Sequence, residues 1–288
     1  MSTSTPDPGA PTPAPGSARV PRPRRRRRRY RIGQTISRRR YLTIAVVAFA
    51  VLLAAWAIAS ATGATNERFL PPPWQVAITG WEQIINGELW ADLGASTYRI
   101  LVGFVLATVM AVPIGALVGI SIRVEAAVQP LVDFIRYMPV VAFVPLTILW
   151  IGIGEEQKFL IIWLGTFFQQ VLLVADAVRS VPRSFIDVGE TLGLSNTRIL
   201  ANIVLRSSAP RIWDALRITL GWAWTWIVVA ELVAATSGLG YRIVVAQRFL
   251  QTDLIFAYLI VLGILGLLTD IVMRLTGRAM FRYERIRR

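Results

Sequence analysis

The feature that most constrains this chain is its succession of long apolar runs. At least five stretches exceed the roughly 18 residues that suffice to cross a bilayer as a helix. Of the 288 residues 55% are hydrophobic, and the mean hydropathy is +0.54. Hydrocarbon offers no partner to a backbone N–H or C=O, so a chain inside it must satisfy those groups itself. Unbroken apolar runs then point to helices. The expected fold is an all-α integral membrane protein with six spans, at 41–62, 93–120, 125–151, 159–178, 212–235 and 254–275. Pro113 is expected to bend the second, and Pro130, Pro139 and Pro145 to interrupt the third.

Composition removes several classes of chemistry. Cysteine and histidine are both absent, which excludes disulfides, thiol nucleophiles, imidazole bases and the usual ligands of zinc or haem. No carboxylate pair is arranged for hydrolysis. The expectation is a non-enzymatic chain that binds no cofactor.

The formal charge of +14 is concentrated at one end. Twelve arginines stand at or before Arg40 against a single acid, Asp7. Residues 1–40 therefore read as a disordered, Pro- and Arg-rich tail, followed by a nearly neutral membrane body at 41–282 and a short end at 283–288. The arginine run at 24–29 sits directly before the first span, so an anchor to anionic lipid fits it better than a nucleic-acid contact. The apolar core at 41–62 is longer than a signal peptide's and lies about forty residues in, which suggests a retained signal-anchor helix.

Leu70-Pro71-Pro72-Pro73 marks a turn outside the membrane. Beyond it, Trp74, Ile78, Trp81 and Ile85 recur at spacings of three and four, fitting an interfacial helix over 74–89. The remaining arginines orient the spans. Arg123, the segment from 179 to 217 and the end from 274 to 288 fall on the side of the tail. The other side holds only Arg68, Lys158, Arg242 and Arg248, beside Glu67, Glu82, Glu155 and Glu156. Since positive loops stay inside, both termini are expected to be cytoplasmic. Among ionisable residues near the spans, Arg99, Asp133, Arg136, Asp176 and Asp270 are expected to snorkel toward the interface. Glu231 sits deeper.

A polar stretch at 187–210, DVGETLGLSNTRILANIVLRSSAP, separates two apolar runs on the tail side. Pro182 suits the first turn of a helix. Gly193 suits the left-handed position that ends it, and Ser195 can cap a second helix in which Ile199, Leu200, Ile203 and Val204 form an apolar stripe. Ser208 and Pro210 are expected to open a third helix leading into the membrane. Gly189 would let another surface approach the backbone closely. An ordinary structured loop and a docking element both fit these residues.

The stretch also resembles the cytoplasmic coupling segment of ABC importer permeases, whose pattern is Glu-Ala-Ala, three residues, Gly, nine residues, Ile-x-Leu-Pro. Asp187-Val188-Gly189 stands at the opening, Gly193 at the glycine, and Ile203 and Leu205 at their offsets, whereas Arg206 replaces the proline. Leu70-Pro71-Pro72-Pro73, the run ILWIGIGE at 148–155, TLGLS at 191–195, Val229-Ala230-Glu231-Leu232 and SGLGY at 237–241 are similar to the nitrate/sulfonate/taurine/bicarbonate branch. Their order and spacing cover nearly everything from 41 to 282.

The resemblance implies a type I importer permease: a bacterial plasma-membrane subunit that pairs with a second copy as a homodimer. It implies a cytoplasmic ABC ATPase, which would use ATP and Mg, and an extracytoplasmic binding protein delivering a small anion or polar organic solute. The chain carries no GxxxxGK[ST] loop of its own. Within the coupling segment at 181–210, Phe185, Val188 and Leu192 would be apolar anchors, Gly189 a close-contact point, and Asp187 and Glu190 would meet basic groups. For the translocation path the candidates are Gln169 and Gln170 as neutral donors, Trp222 and Trp226 on one helix face, and Glu231, which suits a structural hydrogen bond better than contact with an anion. Import of another small organic such as a vitamin precursor, or secondary transport, would place the same spans in the same membrane.

Overall fold

A computed structural model describes residues 36–62, 66, 68–233 and 235–282. The tail through residue 35, with its arginine run, and the end at 283–288 lie outside the described residues. The chain divides into two units, meeting between Val51 and Leu52. The described residues are helical with turns and contain no strand.

The first helix, α1 (Arg38–Ala61), begins in the first unit, where Leu42, Val46 and Phe49 are exposed. An apolar helix with nothing packed on such side chains is what a lipid-facing span requires. In the second unit, Trp56 of the same helix donates its indole N–H to the Pro71 carbonyl at 3.1 Å and stacks on Phe256.

α2 (Pro73–Ile85) starts where Pro72 is extended and Pro73 occupies the first turn. Trp74, Ile78, Trp81 and Ile85 are all exposed, as an interfacial stripe demands. The helix stops four residues before the expected boundary. Gly87, at φ +80°, turns the chain so that α3 (Glu88–Ile120) can begin at once. α3 runs unbroken through Pro113.

The expected third span is two helices rather than one. α4 (Ile122–Arg136) and α5 (Val140–Ile151) meet at 98°. Pro139 is the N-cap of α5 and forces Met138 away from helical geometry, whereas Pro130 and Pro145 are absorbed inside their helices. α6 (Glu155–Arg179) follows. By length and composition four described helices can cross a membrane, or five if the bent pair counts as one. The fifth expected span, at 212–235, lies on α9 (Leu205–Glu231), where Asp214, Arg217 and four tryptophans dilute the apolar run.

Packing of α3 on α6 is the centre of the bundle. Gly103, Ala107, Ala111, Gly115 and Gly119 recur every four residues and form a small-residue groove. A Cβ at Gly103 would sit 2.8 Å from Ile162 Cβ; at Gly115, 2.6 Å from the Val171 carbonyl; at Gly119, 2.8 Å from the Ala175 carbonyl. Bare backbone is what lets the helices close, the arrangement by which membrane helices associate when burial alone drives nothing. The two helices run parallel, so Asp92, Ser96 and Arg99 share an end with Glu155. Gly119 and Val178 share the opposite end with the polar segment.

Candidate coupling surface and translocation cavity

At that second end, α7 (Arg183–Thr191) carries the polar segment. Pro182 is its N-cap rather than part of its first turn. Its C-terminus closes as the spacing suggested: Gly193 adopts φ +69°, its N–H donates to the Glu190 carbonyl at 2.9 Å, and the Leu194 N–H reaches back to the Gly189 carbonyl at 3.0 Å. This double closure satisfies two carbonyls the helix leaves orphaned, and the side chain of Leu194 packs into the apolar cluster beneath.

Two faces of α7 divide its work. Val188 and Leu192, one turn apart, are 57% and 71% exposed, with Asp187 and Glu190 exposed beside them. Ile186 packs inward, and Phe185 is half-buried. Gly189 corrects the expectation: it is buried, and a Cβ there would lie 2.7 Å from Ile203 Cδ1 and 3.0 Å from Ile199 Cγ1. Its close approach is to the protein's own next helical segment, not to an outer surface. Ile203 and Leu205 likewise belong to the inner cluster with Val178, Ile199 and Val204.

After Ser195, whose hydroxyl makes no capping bond, α8 (Asn196–Arg198) leads into a π-helical segment, Ile199–Val204, and then directly into α9. No helix starts at Ser208 or Pro210. The Ser208 hydroxyl donates to the Val204 carbonyl at 2.8 Å, and Pro210 lies within α9. The wide turns carry the chain from α8 into α9 without the break that a proline at position 206 would favour.

At the opposite end a buried polar network ties α3, α6, α9 and α10 (Leu239–Arg248) together. Arg99, expected to snorkel, is 3% exposed. It donates in a fork to both Glu155 oxygens at 2.6 and 2.7 Å, to Glu231 Oε1 at 2.8 Å and to the Ser237 carbonyl at 2.6 Å. Glu231 also accepts from Ser96 and from the Gly240 N–H. Asp92 accepts from the Gly238 N–H, from Arg242 and from the Tyr258 hydroxyl. Burial opposes the charge of Arg242, but its hydrogen bond to Asp92 and the charge of that carboxylate outweigh burial and raise its pKa above the ordinary arginine value. The spacing of Asp92, Ser96 and Arg99, four and then three residues apart on one face of α3, was the signal for this cluster.

Between the two ends, the break from α4 to α5 leaves a cavity of about 420 Å³ against α6 and α9. Gln169, Trp222 and Trp226 line it, together with Arg136, Tyr137, Phe143, Phe168 and Thr225. Trp222 and Trp226 share a face one turn apart. Gln170 does not join them: successive helical residues point about 100° apart, and Gln170 is wholly buried with neither amide atom hydrogen-bonded. Glu231 is likewise outside the cavity lining. Arg136, read from its position as a snorkelling residue, faces the cavity because the chain turns immediately after it.

Residues 103–282 match the family of binding-protein-dependent transport system inner membrane components. A probable ABC transporter permease of Brucella abortus (strain 2308) is 37% identical over 84% of this chain and 96% of its own. The putative aliphatic sulfonates transport permease SsuC of Bacillus subtilis is 35% identical over 82% and 85%, and the taurine transport permease TauC of Escherichia coli K12 34% over 83% and 89%. An inward-facing structure of the MetNI methionine ABC transporter superposes with a TM-score of 0.58 at 20% identity, covering 66% of this chain and 96% of that one, which establishes the shared fold. With its apolar helices, its small-residue core and this match, the chain is a multi-pass membrane transport subunit and belongs to the ABC importer permeases.

Proposed function

We propose that the chain works as the permease of an ATP-driven importer, docking a cytoplasmic ATPase through the outer face of α7 and receiving a small anion or polar organic solute from an extracytoplasmic binding protein. Sulfonate, taurine and nitrate permeases among its relatives support that solute class. Two copies would form the pathway, with both termini cytoplasmic, as the arginine distribution favours. The observation that carries the docking reading is the exposed pair Val188 and Leu192 on a helix whose other face is locked to Ile199 and Ile203. A rigid lever with an apolar outer face transmits a partner's movement to α9 through the π-helical segment. The spans would then alternate between two packings biased by the ATPase.

The test is co-purification. Val188→Asp together with Leu192→Asp should remove the ATPase from the purified permease and abolish ATP-dependent uptake, with the permease still inserted and monodisperse. Full ATPase recovery with this double variant would refute the docking face.

A further inference from the structure

The cavity at the α4–α5 break has a composition that goes beyond a polar path. One cationic side chain, Arg136, faces a space walled by aromatic rings and by aliphatic side chains such as Met138, Val140 and Leu164, with Gln169 and Thr225 as neutral polar groups. Arg136 is already positioned but not used up. Its guanidinium lies over the Tyr137 ring at 4.6 Å and donates to the Tyr137 hydroxyl at 2.9 Å. Its Nε forms an ion pair with Asp133 Oδ1 at 3.0 Å without hydrogen-bond geometry, so its charge is partly compensated while its outer N–H groups stay available. A guanidinium carries five N–H donors, so it retains the pair needed to grip a carboxylate or sulfonate in parallel.

The aromatic walls are held in place before any ligand arrives. Trp226 packs its indole directly on the bare backbone of Gly165, where any Cβ would collide with the ring. Phe168 is fixed edge-on against Phe167 at 5.0 Å and against Trp163 at 6.0 Å. Fixed walls cost a ligand little ordering. They also present apolar area that water satisfies poorly.

Size then discriminates among anions. A space of about 420 Å³ falls in the range of small-molecule sites. An inorganic oxyanion of four heavy atoms fills on the order of two water volumes, about 60 Å³, and would leave most of the indole surface uncovered. From these features we propose that the cavity is a binding seat for an organic sulfonate or carboxylate with an apolar body, its anionic group on Arg136 and its body against Trp222 and Trp226, in preference to small inorganic anions. The inference rests on the import reading above for its biological role, but its binding chemistry stands apart from ATP coupling.

The experiment uses the full-length permease in lipid nanodiscs, titrated calorimetrically with benzenesulfonate, nitrate and benzyl alcohol. Benzenesulfonate should bind at least tenfold more tightly than either of the others. Arg136→Gln should erase the preference over benzyl alcohol, and Trp226→Ala the preference over nitrate. Gly165→Ala, which pushes the indole into the cavity, should weaken benzenesulfonate and leave nitrate unchanged. Should Arg136→Gln not fold, Arg136→Lys keeps the charge, loses the fork and should weaken benzenesulfonate about tenfold. Equal affinities for nitrate and benzenesulfonate, no benzenesulfonate binding, or an unaltered preference in a folded Arg136 variant would overturn the seat. ATP-dependent uptake by the assembled transporter is measured in parallel. Uptake persisting without benzenesulfonate binding overturns the seat and leaves the importer standing; binding with no ATP-dependent uptake supports the seat and removes the importer.

Discussion

Arg99 and Glu231 meet at 2.8 Å with 3% and 0% of their side chains exposed, although 132 residues separate them. Two charges withdrawn this far from water need partners that offset their desolvation, and hydrogen bonds with Ser96, Gly240, Ser237 and Glu155 supply them. Through its fork to Glu155 and its separate bond to Glu231, Arg99 on α3 ties the start of α6 to the end of α9.

Stranding one charge there should be costly. Glu231→Ala leaves Arg99 without its dry partner and takes the acceptor from Ser96 and Gly240, so it should destabilise by about 3–5 kcal/mol. Glu231→Gln keeps an acceptor and the shape and should cost less. Thermal unfolding of the detergent-solubilised protein ranks the two, and an Ala variant as stable as the parent would contradict the network.

Gly238 sits against the same carboxylate at φ +120°, and a Cβ there would overlap Glu231. Gly238→Ala combines backbone strain with this clash, and about 1–3 kcal/mol of destabilisation is expected from the strain alone. The check is its melting temperature beside that of Gly94→Ala, whose Cβ meets open space and which should behave like the parent.

At the other end, Gly189→Val should push α7 off Ile199 and Ile203, an overpacking worth about 1–3 kcal/mol. Trimming the neighbour should restore it: Gly189→Ala with Ile203→Ala ought to recover ATPase co-purification that Gly189→Ala alone diminishes. If the second substitution makes recovery worse, Gly189 is not packed against Ile203 as described.

Gly193→Val should release the C-terminal closure of α7, because a β-branched residue in the left-handed region costs more than the roughly 1–2 kcal/mol typical of an L residue there. Gly193→Asn, which tolerates that conformation, should retain most uptake. Equal uptake by the Val and Asn variants would show that the turn does not depend on φ at this position.

Gly115→Leu addresses the core itself. Its added side chain would enter the Val171 carbonyl and the side chain of Val174, neither of which can withdraw without parting α3 from α6. The expected result is loss of folded protein in fluorescence size-exclusion chromatography, with membrane insertion of the chain unaffected.

What could be read from the chain alone was whatever is local. Run length marked apolar helices that can cross a bilayer, prolines marked the third run as interrupted though only Pro139 of the three breaks it, and Gly193 marked a left-handed stop, since each depends on a residue and its immediate neighbours. The small residues from Gly103 to Gly119 recur every fourth position, but only packing showed that stripe to be a groove and α6 to be its partner. Tertiary structure decided the rest. It turned Gly189 inward, joined the helix at Ser208 to the one before it, buried Arg99 between two distant acids, and set Gln169 in a cavity while its neighbour Gln170 faced the buried interior. Those outcomes depend on which helix lies alongside and on rotations of a single residue, about 100° around the helix axis, and neither quantity is written in a hydrophobic pattern.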